Sequence, residues 1–253
     1  MKTLKHILLL AALFIGYFAS AQQTETRKLP DFNKLEIGGS FNTVLRQGDE
    51  TAVKITAENL DTKKILTRSV ANTLKISLEN GNYRNTRINV EVTYKSLEAI
   101  DKSGSGNLTC ESDLSSGGDF YLSSGGSGNV VIKGNIKAAE QVSVSRAGSG
   151  NMKLGGIQAR TIKMNFSGSG NFEVTDGSAT TQSITLNGSG NVDAYGLKTE
   201  TCNAAISGSG DIKVYASNSL NATISGSGNI NYQGDAQVKQ IQVNGSGRIN
   251  KKG

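Results

Sequence analysis

The tripeptide Gly-Ser-Gly begins at Gly104, Gly126, Gly148, Gly168, Gly188, Gly208, Gly226 and Gly245, at intervals of 22, 22, 20, 20, 20, 18 and 19 residues. A near-constant period of this length marks stacked supersecondary units, each too small to bury its own apolar face. Counted from the first glycine, the fourth residue on is always apolar: Leu108, Val130, Met152, Phe172, Val192, Ile212, Ile230 and Ile249. The sixth is Cys110, Ile132, Leu154, Val174, Ala194, Val214 and Tyr232, then Lys251. The same parity holds ahead of the tripeptide in Met164/Phe166, Ile184/Leu186, Ala204/Ile206, Ala222/Ile224 and Ile241/Val243. Period-two alternation is the mark of strands with one buried side. Each tripeptide therefore lies between two strands whose apolar residues point the same way.

The expected fold is all-β, a parallel β-helix or β-solenoid with coils of about 20 residues over 101–253. Both glycines fall on the inward parity, where a side chain is expected to crowd the bend between strands, and glycine also tolerates positive φ. The residue after the second glycine is Asn107, Asn129, Asn151, Asn171, Asn191, Asp211, Asn229 or Arg248. Stacked amides at one position predict a hydrogen-bonded ladder along the rod. Arg248, Lys251 and Lys252 place charge on the last strand, which discourages pairing with another chain.

The segment 22–100 is strand-rich without a period and is read as continuous with the repeat. Runs at 34–37, 41–46, 52–57, 73–78 and 86–94 are separated by Gly38-Gly39, Gln47-Gly48-Asp49 and Glu79-Asn80-Gly81-Asn82. A helical turn is expected within 61–70. Ahead of this, residues 1–21 have the make-up of a secretory signal peptide. Lys2 and Lys5 precede the apolar run 7–18, and Ala19-Ser20-Ala21 supplies the small residues of a cleavage site. No cysteine stands just after it, so no lipid anchor is expected there. Export is expected, to the periplasm, the outer surface or the medium, with no transmembrane segment in the mature chain.

Several runs in 22–100 also carry a family resemblance. Phe32-Asn33-Lys34-Leu35-Glu36-Ile37 is followed by Phe41-Asn42-Thr43-Val44, Gln47-Gly48, Leu74-Lys75-Ile76 and Leu97-Glu98-Ala99-Ile100, ahead of the first Gly-Ser-Gly-Asn. This order resembles the head GIN domain of putative auto-transporter adhesins, found in exported proteins of Bacteroidetes-type bacteria. The resemblance implies a β-helix-like fold and an adhesin role, with an unknown surface or glycan as ligand, and brings no catalytic residues with it. A self-translocating barrel would need segments of about ten alternating residues, and none is read here.

Few features point to chemistry. The one histidine, His6, lies in the signal segment, which leaves no Ser-His-Asp, Cys-His or His-zinc set. No phosphate loop follows the Gly-Ser-Gly units. Catalytic, cofactor and metal residues are therefore expected to be none. With no tryptophan, a net charge of +6 and no long basic run, nucleic acid is not an expected partner. Cys110 and Cys202 lie four repeats apart, about 19 Å at about 4.8 Å per rung, too far for a disulfide. The charged column Lys153, Glu173, Asp193, Lys213, the fifth residue of consecutive repeats, sustains one enzymatic alternative. Glu173 and Asp193 would lie about 5 Å apart, as in polysaccharide-active sites. The plainer reading is a ladder of offsetting charges. Ice binding is a third reading, since Ser105 to Ser246 form one column. The leading reading is a non-enzymatic exported binding protein.

Overall fold

The computed structural model describes residues 22–252, so the signal peptide read in 1–21 lies outside the described residues. Among them the chain forms 23 strands and one short 3-10 turn, wound into a parallel β-solenoid. The strand before each tripeptide joins one parallel sheet, the leading face, and the strand after it joins a second, the trailing face. A third, narrower sheet stacks Leu114–Ser116 with residues 136–138, 156–158, 176–178 and, at its last rung, 197–199. It stops there, so the coil between Gly208 and Gly226 turns directly from trailing to leading face. That accounts for its 18 residues against 20 in the three coils before it.

The interior follows the expected parity. Leu108, Val130, Met152, Phe172, Val192, Ile212 and Ile230 form one column, each no more than 2% exposed. Ile249 ends the column only partly buried, and Ile241 and Val243, expected inward, are exposed, because no described strand stacks on the last rung. Phe166 and Phe172 pack across the Gly168 corner with ring centroids 4.5 Å apart, joining the two faces. Cys110 and Cys202 are both free and fully buried, and they stand in different sheets.

The first glycine of each tripeptide has the expected positive φ, but the crowding has a different cause from the one expected. A Cβ on Gly126 would meet the carbonyl oxygen of Gly104, one coil below, at 2.5 Å, and Gly126 also has φ +96°. The crowding is therefore between coils rather than within the bend. Closing that gap lets the corner bond along the rod: Ser189 and Gly190 both donate their N–H to the Gly168 carbonyl, at 3.1 and 3.2 Å.

The N-terminal segment is more regular than its sequence suggests. Lys34–Gly38 and Asn42–Gln47 make a rung of their own, stacked beneath Ala99–Ser103 and Leu108–Cys110. Gly39-Ser40-Phe41-Asn42 is its corner, a degenerate copy of the tripeptide, and Gly104 stacks on Gly39 as Gly126 does on Gly104. Beneath lies the rung of Thr73–Leu78 and Arg87–Tyr94, also parallel. Spatial order therefore departs from chain order: the rung at 34–47 is inserted between 73–94 and 99–110. Antiparallel strands Ile65–Val70, Ala52–Glu58 and Gln22–Lys28 then close the rod. The expected helical turn is the 3-10 turn Thr62–Lys64, capped by the Asp61 carboxylate on the Lys63 N–H at 2.9 Å. Arg27 ties this end together by donating to the carbonyls of Thr62 and Ile65.

Candidate functional site

The column singled out by its charges lies on the outside of the trailing face, with Glu173 and Asp193 in register on adjacent coils. Each carboxylate has its own lysine. Lys153 Nζ donates to Glu173 at 3.0 Å, and Lys213 Nζ donates to Asp193 at 2.9 Å, with all four side chains 42–55% exposed. The same lacing continues along this face in Arg46–Glu111–Lys133 and Lys54–Glu91. Glu173 and Asp193 face each other across one coil step, and the lysine on the far side of each offsets that like-charge contact. Exposed pairs of this kind contribute about 0–1 kcal/mol each.

Beside this column stands a feature that sequence reasoning missed. Tyr195 and Tyr215 occupy corresponding positions on adjacent coils, one residue past the paired Ala194 and Val214. Both are half-buried. Lysines cross between the coils to reach them. Lys198 Nζ lies 4.1 Å from the Tyr215 ring centroid and donates to the Tyr195 carbonyl at 3.2 Å. Lys213 Nζ lies 5.9 Å from the Tyr195 ring while holding Asp193. Burial raises the Tyr195 phenol above its ordinary range, Lys213 opposes that rise, and Asp193 adds to it. The signal was present: both tyrosines are the seventh residue of their repeat, counted from the first glycine.

Two shallow grooves flank this pair. One, of about 470 Å³, is lined by Tyr215, Lys198, Thr199, Glu200, Ser178 and Ser217. The other, about 450 Å³, runs along Glu173, Asp193, Lys213 and Asp211. Thr199 fixes the first: it is 3% exposed and donates to the Tyr215 carbonyl at 2.7 Å. Together they make a strip across three coils with two aromatic rings at its centre and carboxylates and ammonium groups on both sides. Among the described residues no group of three or more His, Cys, Asp or Glu is placed to hold a metal ion.

The asparagine column is the expected ladder: side-chain Nδ2 groups donate down the rod from Asn107 to Asn42, Asn191 to Asn171 and Asn229 to Asp211, and backbone N–H groups add a bond at every rung. The N–H of each residue donates to the Oδ1 of the one below: Asn129 to Asn107 at 2.9 Å, Asn151 to Asn129 at 2.8 Å, Asn229 to Asp211 at 2.7 Å. It begins at Asn42, which accepts from Asn107. Asp211 serves because it too offers an Oδ1. Arg248 is tolerated at the last rung because it only donates its N–H, to Asn229 at 3.1 Å. All eight serines of the tripeptides are exposed. This corner is built for stacking.

Two buried cations were also unforeseen. Lys102 and Arg146 occupy the interior column that Phe166 and Leu186 fill higher up, and are 2% and 3% exposed. Lys102 donates to the Gly104 carbonyl at 2.8 Å. Arg146 donates to the Gly150 carbonyl at 2.6 Å and to the buried Ser124 hydroxyl at 3.0 Å. Burial holds both below their ordinary basicity, and for Lys102 the charge of Arg146 adds to it. They face inward carbonyls rather than solvent, so their part is in the corner.

The architecture defines a parallel β-solenoid of the repeat type, extended by an antiparallel cap. The chain belongs to the family described as putative auto-transporter adhesin, head GIN domain, whose family model matches residues 31–236. No curated protein matches it. Among solved structures it is similar to a putative lipid binding protein from Parabacteroides distasonis, with 27% identity and a TM-score of 0.84 over 93% of this chain and 98% of that one. It is also similar to a putative adhesin from Parabacteroides merdae, at 22% identity and TM-score 0.87, over 93% and 98% of the two chains. A putative adhesin from Parabacteroides distasonis matches at 22% identity and TM-score 0.86, over 92% and 98%. The last two likenesses establish the fold alone.

Proposed function

We propose that this chain is an exported, non-enzymatic binding rod of the cell envelope that holds a glycan along the strip centred on Tyr195 and Tyr215. The observation that carries the reading is the aromatic pair itself, one coil apart and edged by hydrogen-bonding groups of both signs. Sugar rings present an apolar C–H face that suits an aromatic ring, and hydroxyls that suit ammonium and carboxylate groups. Lys198 over Tyr215 is a displaceable cover, since exposed cation–π contacts are worth about 0.5–1 kcal/mol. Once displaced, its ammonium is free to donate to the ligand. The adhesin description of the family agrees with a binding role at a surface.

The pairing of Glu173 and Asp193 with lysines favours binding over hydrolysis. A glycosidase needs one carboxyl kept protonated as the acid, usually by burial, and here both are exposed and lysine-bonded. The test is a glycan array and a polysaccharide pull-down with the whole protein against a Tyr195→Ala/Tyr215→Ala variant. At least a ten-fold loss of retention is expected, with the β-fold kept by circular dichroism and the unfolding midpoint lowered modestly by loss of the half-buried rings. Equal retention by the variant removes the strip from the binding surface. One observation favours ice binding instead: among the paired outward positions of the leading face from Tyr121 to Asn244, only Lys163 is charged. Thermal hysteresis decides that reading.

A further inference from the structure

The two ends of the rod differ in a way the glycan strip does not explain. The N-terminal end is closed, with Val53, Ile55, Ala57 and Ile65 fully buried beneath its antiparallel strands and 3-10 turn. At the other end the interior columns come to the surface. Ile241 continues the column of Ala222 and is 62% exposed, while Val243 continues that of Ile224 and is 38% exposed. Gln237–Gly245 pairs only with Ser219–Gly226, and Ile249–Lys251 only with Ile230–Gln233, so both keep a free edge among the described residues.

Charge is concentrated on the same coil. The sequence carries +6 in all, and Lys2 and Lys5 of the signal segment account for two of these. The remaining surplus of four equals the cations of the last coil, Lys239, Arg248, Lys251 and Lys252, which has no carboxylate of its own. Residues 22–236 are therefore balanced. Only Lys251 has an ion-pair partner among the described residues, Asp235 of the preceding coil at 3.2 Å.

We propose that this end is a docking site for an extended, acidic strand of a partner polypeptide, which adds to the free edge as the next rung. Backbone groups on an open edge select a peptide, because only a peptide returns the alternating N–H and C=O pattern. Ile241 and Val243 select apolar residues at every second position. The unpaired Lys239, Arg248 and Lys252 select carboxylates between and beside them. A second copy of this chain fits poorly, since end-to-end pairing opposes two coils of four cations each. The lysine-bearing bulge at Lys239, where Asn221 pairs past it with Gln240, is a device that blocks such self-pairing.

The probe is a fluorescein-labelled synthetic peptide of alternating Glu and Val, with a Lys/Val peptide as its control, titrated against the whole protein by anisotropy. Saturable binding of the acidic peptide alone is expected, with amide protection gained in 237–251 by hydrogen exchange. Ile241→Asp and, separately, Lys239→Glu/Lys252→Glu weaken it at least ten-fold. All three positions are exposed, and circular dichroism verifies that each variant is folded. The Tyr195→Ala/Tyr215→Ala variant binds the peptide unchanged, which separates this site from the glycan strip. The proposal is overturned by no peptide binding, or by binding indifferent to these substitutions. It is equally overturned if phosphatidylglycerol vesicles alone engage the end, or if sedimentation shows a dimer that buries it.

Discussion

Gly125 and Gly126 are neighbours in one strand end, and alanine at the two positions should act in opposite directions. A Cβ on Gly125 meets nothing within 4 Å, and its outward column continues with Ala147. Gly125→Ala should therefore be neutral or stabilise by about 0.4–1 kcal/mol, through lost freedom of the unfolded chain. Gly126 has φ +96°, and its added Cβ would lie 2.5 Å from the Gly104 carbonyl oxygen. Holding alanine in that backbone region costs of order 1–3 kcal/mol. Ordinary contact begins near 3.4 Å, so the two coils must also part by about 1 Å, an overpacking term of about 1–3 kcal/mol. The sum, about 2–6 kcal/mol, should set the two variants at least about 2 kcal/mol apart. Urea unfolding followed by circular dichroism reads the difference, and hydrogen exchange at 99–128 reports opening confined to nearby coils, which repeat proteins allow. Equal stability of the two variants would refute the account of the corner as a contact between coils.

Two further outcomes follow from buried groups. Lys102 is less basic in the fold than in the unfolded chain because burial disfavours its ammonium. The unfolded state then holds more protons between the depressed value and the ordinary 10.5, so stability rises with pH across that window. Urea midpoints of the wild type should climb relative to Lys102→Met from neutral pH toward pH 10.5, and parallel curves would remove the buried charge from the account. Cys110 and Cys202 should resist a thiol reagent in the native protein and react after unfolding. Both are fully buried, and burial pushes the Cys202 thiol up to about 12. Fast native labelling of either would show that the stack opens readily.

The repeat made the stack legible because a solenoid bonds like to like, and the period alone supplies the register. Interior parity and the asparagine column followed for the same reason. The rung at 34–47 was hidden by its corner, where Phe41 replaces the second glycine of Gly39-Ser40-Phe41-Asn42. Its insertion beneath 99–110 depends on pairing across more than sixty residues, which no local pattern records. The glycines were noticed for the right positions and the wrong neighbour, since a single coil does not display what lies above it. Tyr195 and Tyr215 could have been found by carrying the column count one residue past the sixth position and its neighbours. Lys102 and Arg146 could not, because polar residues at an inward parity read as the end of an apolar column until their carbonyl partners are seen.

Whether the carboxylates on the strip work as a binding edge or as a catalytic pair is settled most directly by incubating the protein with pectin-like and alginate-like polysaccharides and following retention and product release together. The account predicts that polymer is retained without shortening. It also predicts that a Glu173→Gln/Asp193→Asn variant folds normally and releases no less product than the wild type, because there is none to lose. Polymer cleaved by the wild type and left intact by that variant would contradict it and make this solenoid an enzyme.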